Sequence, residues 1–156
     1  MARWSEVEGE APALAAAALG FLTGRTHLTV ATLRRDGSPR ISGIEVRHVD
    51  GDLWLGMMGG SLKARDLRRD PRFALHSGSE DPPDWSGDAK LAGRAVEVEE
   101  RTLVERVVGA EHASGGAHLF RLDVAELVVV RLGDPPDHLV IESWHEGRGT
   151  TRLERR

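Results

Sequence analysis

Two Asp-Gly pairs separate three β-rich runs in the first part of the chain, and this spacing is the strongest constraint on the fold. Residues 27–33 are followed by the turn sequence Arg-Asp-Gly-Ser-Pro at 35–39, and residues 40–49 form the second run. Asp50-Gly51 then leads to a third run at 53–58. Asp-Gly tolerates the positive φ angles of tight hairpin turns. The sequence therefore predicts an antiparallel meander of three strands.

The rest of the chain adds further strands and a few short helices. Helices are predicted at 11–23 and 101–110, and strands at 72–77, 90–99, 119–132 and 138–144. Six or seven strands with short flanking helices favour a mainly β fold with peripheral α segments, most economically an antiparallel barrel. No repeat or linker divides the chain, so we expect a single domain over residues 1–156. We expect its core at about 11–145 and a charged, frayed tail at 146–156.

Composition excludes several classes of protein. The net charge of −4 argues against general nucleic-acid binding, which usually needs a basic face. The absence of cysteine excludes disulfides and thiolate metal sites. No apolar stretch approaches the ~20 residues that span a bilayer, and the first residues lack the pattern of a signal peptide. We therefore expect a cytoplasmic protein that binds neither nucleic acid nor membranes.

The segment Gly-Gly-Ser-Leu-Lys at 59–63 has the features of an anion-binding turn. Ser61 is a good N-cap for a short helix that ends before Asp70-Pro71. The free N–H groups of a first helical turn carry the positive end of the helix dipole, and a lysine beside them suits a phosphate. Lys63 is one of only two lysines, beside nineteen arginines. The alternative is a helix that merely crosses a barrel end, with Lys63 in solvent.

The order of the strands and this motif together resemble the pyridoxamine 5'-phosphate oxidase-like flavin-binding split-barrel superfamily. The resemblance covers about residues 11–145, and its most specific part is 36–75. It implies an antiparallel split barrel and a homodimer, with a cofactor in each groove between the two chains. That cofactor is either flavin mononucleotide (FMN) or the deazaflavin coenzyme F-420, and the sequence leaves the choice open.

The resemblance also implies a set of cofactor-binding residues. Ser61 and Lys63 match the positions that hold the phosphate. Strand residues match the segment that lies along the ring and the ribityl chain: Ser42, Gly43, Ile44 and Glu45. These residues form the predicted cofactor site.

Three further positions of the predicted site depart from the family pattern. Met57 and Met58 stand where the family often has hydroxyl groups, and Leu62 stands where the flavin-using oxidase has a second arginine on the phosphate. Each lost contact is worth on the order of 1–3 kcal/mol. Arg40 or Arg65 could supply the missing charge. The sequence therefore predicts a recognisable cofactor site with altered chemistry.

Two hypotheses about function follow. The first is an oxidoreductase that transfers a hydride between FMN or F-420 and a small organic substrate, with the chemistry belonging to the cofactor. The second is a non-catalytic protein that binds or sequesters a flavin, a deazaflavin or haem, and a bare dimeric scaffold is a third, weaker idea. No catalytic residue can be assigned, and the seven histidines lack the spacing of a metal site. Trp85 and Trp144 could stack on a bound ring or cover the edge of the core.

Overall fold

The computed structural model describes residues 1–156 as nine strands and five short helices. The helices are α1 (Trp4–Glu10), α2 (Pro12–Thr23), α3 (Leu62–Arg69), α4 (Arg101–Val108) and α5 (Ala110–Ser114). The strands are β1 (Leu28–Leu33), β2 (Pro39–Ile44), β3 (Val46–Val49), β4 (Asp52–Met57), β5 (Arg72–His76), β6 (Asp88–Glu97), β7 (His118–Leu132), β8 (Leu139–His145) and β9 (Gly149–Arg155). None of the helices combines the length and the apolar composition needed to cross a lipid bilayer.

All nine strands belong to one antiparallel sheet. Its main path runs β2-β1-β5-β6-β7-β4-β3, and β8 and β9 extend it from β7. Strands β2 and β3 lie at the two ends of this path, although only Glu45 separates them in the chain. The sheet must therefore curl until β2 comes beside β4, where the barrel stays split. The predicted fold class, a mainly β antiparallel split barrel with short flanking helices, is confirmed.

The strands are more numerous than the predicted six or seven, for two reasons. The single strand predicted at 40–49 is two strands, because the chain bends at Glu45. The predicted frayed tail at 146–156 is wrong, because β9 pairs with β8 along its whole length. Gly147 and Gly149, with φ angles of 73° and 70°, form the turn of this last hairpin. All side chains after Gly149 are exposed, which is why their composition resembles that of a disordered tail.

Helices α1 and α2 pack against the sheet and complete the core. The core begins before the predicted residue 11, because Trp4 and Val7 of α1 are fully buried. Trp144 of β8 is also buried, and its indole N–H donates a 2.9 Å hydrogen bond to Glu10. Trp144 is therefore a core residue and has no surface to offer to a bound ring.

Candidate functional site

A cavity of about 590 Å³ opens where the split in the barrel meets the start of α3. Strands β2, β3 and β4 line it, α3 contributes one residue, and the region of α4 and α5 lines the other side. This volume lies within the range of roughly 300–1,000 Å³ that is typical of small-molecule sites. Six of the nine predicted site residues line the cavity: Gly43, Ile44, Glu45, Met57, Met58 and Lys63. The structure therefore brings two separate parts of the predicted site together.

The other three predicted residues, Ser42, Ser61 and Leu62, do not line the cavity. Ser42 is half-buried and pairs with Val30 in the sheet. The Ser61 hydroxyl accepts a 3.3 Å hydrogen bond from the Ala64 N–H, which confirms the predicted N-cap of α3. Leu62 is 54% exposed on the first turn of that helix. A role of these three residues in cofactor binding stays a prediction.

Lys63 brings an unpaired positive charge to the cavity. The residue is half-buried, and its ammonium group forms no ion pair or hydrogen bond within the chain. The two arginines considered as substitutes for the missing charge lie elsewhere. Arg65 is exposed and does not line the cavity, and Arg40 is paired with the Asp66 carboxylate. Lys63 is therefore the cation of α3 that is available to a ligand in this cavity.

Asp66 anchors α3 to the strands beneath it. Its carboxylate, almost fully buried, accepts hydrogen bonds from Thr32 Oγ1 at 2.9 Å, Arg40 Nε at 2.6 Å and an Arg69 guanidinium nitrogen at 2.9 Å. Burial alone would raise the pKa of Asp66, but the hydrogen bonds from Arg40, Arg69 and Thr32 outweigh it and lower that pKa. The charged carboxylate thus holds α3, and with it Lys63, against β1 and β2.

The two methionines at the end of β4 occupy different environments. Met57 is 4% exposed and belongs to the core, whereas the next residue, Met58, is 79% exposed. Ile44 and Val108, which also line the cavity, are buried. The lining of the cavity therefore includes buried apolar side chains and one solvent-facing thioether.

Two glycines allow the α4–α5 region to approach the cavity closely. A Cβ atom on Gly56 would lie 2.8 Å from Val108 Cγ1, so α4 packs directly on the backbone of β4. A Cβ atom on Gly59 would lie 2.9 Å from the carbonyl oxygens of both Gly115 and Gly116. The segment of residues 101–116, which we call the roof, therefore packs against β4 and against the turn before α3.

The roof and the neighbouring strands contribute four charged or titratable residues that the sequence did not predict: His27, Arg47, Glu111 and His112. Arg47 donates a 3.0 Å hydrogen bond to the Val107 carbonyl at the end of α4 and lies 3.6 Å from Glu45. Glu111 and His112 lie on α5, which begins after Gly109 with a φ angle of 89°. Gly109 before α5 and Gly115-Gly116 after it are the sequence signal that could have indicated a short helix between two turns at this place.

A cluster of polar side chains holds the turn that precedes α3. The Gly60 N–H donates a 3.2 Å hydrogen bond to His118 Nε2, so the proton of this imidazole is assigned to Nδ1, which lies 3.1 Å from Glu97 Oε1. Arg68 donates two hydrogen bonds of 2.6 and 2.7 Å to the same carboxylate. The hydrogen bond from Arg68, together with that from His118, lowers the pKa of Glu97 against the effect of burial. The turn is therefore held through the Gly60 N–H by an imidazole that Glu97 fixes in place.

The remaining candidates from the sequence lie outside the cavity or form no cluster. Trp85 is half-buried in the loop between β5 and β6 and does not line the cavity. No group of three or more histidine, aspartate or glutamate side chains is arranged to hold a metal ion. Among the titratable groups that line the cavity, Arg47 lies 3.6 Å from Glu45, and neither of the two histidines is paired with a carboxylate.

Comparisons with known proteins agree with this architecture. The family model described as pyridoxamine 5'-phosphate oxidase matches residues 14–131. Among solved structures, the conserved hypothetical protein Rv2991 from Mycobacterium tuberculosis is 26% identical, with a TM-score of 0.62. That alignment covers 72% of this chain and 81% of the other. No curated protein sequence matches this chain significantly.

Two more distant structures share the fold alone. A pyridoxamine 5'-phosphate oxidase-related, FMN-binding protein from Nostoc punctiforme is 13% identical, with a TM-score of 0.61 over 90% of this chain and 94% of the other. HutZ, the haem storage protein from Vibrio cholerae, is 21% identical, with a TM-score of 0.56 over 71% of this chain and 89% of the other.

Proposed function

Because the chain belongs to the pyridoxamine 5'-phosphate oxidase family, as its strand order and its Ser-Leu-Lys motif predicted, we propose that it is a flavin-dependent oxidoreductase. FMN is the favoured cofactor, since an FMN-binding protein shares the fold. A bound flavin would accept or donate the hydride, and the substrate would be a small organic molecule. The observation that carries the proposal is the free Lys63 ammonium in a cavity lined by residues 43–45.

Three features of the cavity and of the neighbouring helix start support this proposal. The buried side chains of Ile44 and Met57 offer an apolar surface to a flat ring system. Lys63, near the free N–H groups of the first turn of α3, suits the phosphate. The Ser61 hydroxyl accepts a hydrogen bond as the N-cap, and its proton remains free to donate to a phosphate oxygen. We propose that Ser42, Ser61 and Leu62 lie at the edge of the bound cofactor.

We further propose that two copies pair through the outer face of the sheet. Ile41, Ala31, Ala74 and Ala92 are register partners on four adjacent strands. All four are apolar, none is buried, and Ile41 is 74% exposed. This row continues along β2 toward Gly43, which lines the cavity. A second copy seated on the row would therefore lie beside the mouth of the cavity.

The same proposal includes the domain organisation and the location of the protein. One sheet holds all nine strands, and one core cluster contains residues from Ala2 to Trp144, so we propose that residues 1–156 act as one domain. We propose a cytoplasmic location because the chain has no cysteine with which to form the disulfides of an oxidising compartment.

A non-catalytic protein that stores or sequesters a cofactor is the second candidate. Two histidines, His27 and His112, line the cavity, and an imidazole is a common ligand of haem iron. HutZ, a haem storage protein, has the same fold. Neither histidine is paired with a carboxylate, so both imidazoles are free to bind a ligand.

A titration of the purified protein with FMN, coenzyme F-420 and haem separates these possibilities. We expect FMN to bind with quenching of its fluorescence, and Lys63→Ala to weaken this binding by about ten-fold or more. Arg65→Ala is the matched control, because it removes a positive charge from the same helix outside the cavity. Equal affinities of the two variants would refute the phosphate site, and tighter binding of F-420 or haem would replace FMN as the ligand.

Turnover distinguishes an enzyme from a carrier once the ligand is known. The protein loaded with reduced cofactor is mixed with a panel of small electron acceptors, and oxidation of the cofactor is followed by absorbance. Acceptor-dependent oxidation that is faster than that of the free cofactor supports an oxidoreductase. Oxidation no faster than that of the free cofactor, with tight binding, supports the carrier.

A further inference from the structure

We propose that His112 is the second cation of the phosphate site and makes binding of the phosphate depend on pH. The proposal rests on the proposed phosphate site at Lys63. A phosphate monoester carries a charge of about −1.5 to −2 near neutral pH, whereas Lys63 provides a single positive charge. A second cation from elsewhere in the chain would neutralise the rest of the negative charge of the phosphate.

Three other basic side chains line the cavity: His27, Arg47 and His112. Arg47 is already held by the Val107 carbonyl and by Glu45. It pairs in register with Trp54, three residues before Met57 on β4, which is about 10 Å along the strand. Arg47 therefore lies toward the far end of the cavity from α3.

His27 lies on the rim of the cavity beyond the start of β1. Its neighbour Leu28 is the register partner of Ile44, which places His27 beside the bend at Glu45. This bend lies on the side of the cavity formed by the strands that would carry the ring. His27 is therefore poorly placed to contact a phosphate at α3.

A series of backbone contacts links His112 to the turn before α3. The His112 carbonyl accepts hydrogen bonds from the N–H groups of Gly115 and Ala117, at 3.1 and 3.2 Å. The Gly115 and Gly116 carbonyls in turn rest against Gly59, in the turn that leads into Lys63. His112 and Lys63 thus line the same cavity and are linked through the backbone of the roof.

The His112 side chain is exposed and has no hydrogen-bond or ion-pair partner within the chain, so its imidazole is free to bind a ligand. The other charged or titratable groups that line the cavity with it are Lys63, Arg47, His27, Glu45 and Glu111. Glu45 lies against Arg47, and Glu111 is the residue that precedes His112 in the sequence. A protonated His112 offsets Glu111 and adds a donor for a phosphate oxygen.

The charge of an imidazole changes between pH 5 and 8, unlike the charge of a lysine or an arginine. Protonation of His112 would therefore strengthen phosphate binding as the pH falls from 8.5 to 6.5. A charge-assisted hydrogen bond corresponds to a change in affinity of about ten-fold or more when it is fully formed. We expect an increase in FMN affinity of about five-fold or more over this range.

The test measures FMN affinity by calorimetry between pH 8.5 and 6.5 for the wild type, His112→Gln and His112→Arg. We expect the pH response in the wild type and no gain in affinity at low pH in His112→Gln, where only the uptake of a proton by the phosphate itself remains. His112→Arg should bind tightly at every pH, because its charge is permanent. His48→Gln removes an imidazole outside the cavity and should keep the wild-type response. An unchanged response in His112→Gln, or its loss in His27→Gln instead, overturns the proposal.

Two further ligands locate the effect and separate the proposals. Riboflavin lacks the phosphate, so its affinity should be the same in the wild type and in His112→Gln. If His112→Gln weakens riboflavin binding as much as FMN binding, His112 contacts the ring instead, and the proposal is overturned. Failure of Lys63→Ala to weaken FMN binding counts against the proposed function. If FMN does not bind at all, inorganic phosphate is the probe. Phosphate should then raise the unfolding temperature at pH 6.5 more in the wild type than in His112→Gln, and equal shifts overturn the role of His112.

Discussion

Arg40 Nε lies 2.6 Å from Asp66 Oδ2, and this ion pair joins the strand that lines the cavity to the helix that carries Lys63. Thr32 and Arg69 donate further hydrogen bonds to this buried carboxylate. Strand β2 and helix α3, which both contribute to the lining of the cavity, are therefore fixed to each other through one charged group. The geometry of the site and the stability of the fold depend on the same contact.

We expect Asp66→Asn to lower the free energy of unfolding by about 3 kcal/mol, because removal of one partner of a buried ion pair leaves the other uncompensated. Asp70→Asn is the control, since Asp70 pairs with Arg72, whose side chain is 65% exposed, and such pairs contribute about 1 kcal/mol or less. Urea unfolding of the three proteins measures both effects. Equal losses in the two variants would mean that the Asp66 network does not anchor the helix.

The lowered pKa of Asp66 predicts how this stability changes with acidity. The unfolded chain has an ordinary aspartate pKa of about 3.9, and the folded state holds the proton less tightly. The contribution is therefore complete above about pH 4 and is lost as the pH falls through the lower folded pKa. We expect the difference in unfolding free energy between the wild type and Asp66→Asn to be constant from pH 7 to 5 and to shrink below pH 4. A difference that grows in acid would contradict the assigned direction.

Local signals in the sequence were sufficient for α3 and for the hairpins. The Ser61 cap, the stop before Asp70 and the Asp-Gly turns each depend on a few neighbouring residues, and the structure contains all of them. The ion pair of Arg40 with Asp66 spans 26 positions. No local pattern indicates it, so the sequence left Arg40 as a candidate for the phosphate.

The roof of the cavity also depends on contacts between residues that are far apart in the sequence, which no local pattern indicates. Val108 meets Gly56, and the Gly115–Gly116 turn meets Gly59, across more than fifty positions of sequence. His112 reaches the cavity only through this packing. The sequence could predict the part of the cavity lining that lies on β2, β4 and α3, but not the part that a later segment contributes.

The contact between Gly56 and Val108 gives a direct test of that roof. A methyl group on Gly56 would overlap Val108, so we expect Gly56→Ala to cost about 1–3 kcal/mol of stability. Val108→Ala should cost about 1–2 kcal/mol, from the loss of two buried methyl groups. In the double variant the new methyl group fills the space that Val108 leaves. The loss of unfolding free energy in the double variant should be at least about 1 kcal/mol smaller than the sum of the losses in the two single variants, as measured by urea unfolding. Strict additivity would contradict the direct contact.

The outer row of Ile41, Ala31, Ala74 and Ala92 makes the proposed homodimer testable. We expect Ile41→Asp to convert a dimer into a monomer in sedimentation velocity, because twofold symmetry places the new charge in the interface twice. A buried, unpaired carboxylate costs several kcal/mol, which corresponds to a weakening of the dimer by more than about 100-fold.

Leu153→Asp is the control, since Leu153 is also exposed, at 58%, but lies on β9 at the far edge of the sheet. The proposed groove between subunits adds a second readout, because a monomer would expose one side of a bound cofactor to water. FMN affinity should therefore fall in Ile41→Asp and not in Leu153→Asp. A monomeric wild type, or an Ile41→Asp variant that remains a dimer, would place the subunit contact elsewhere or remove it. Unchanged FMN affinity in a monomeric Ile41→Asp would show that one chain holds the cofactor alone.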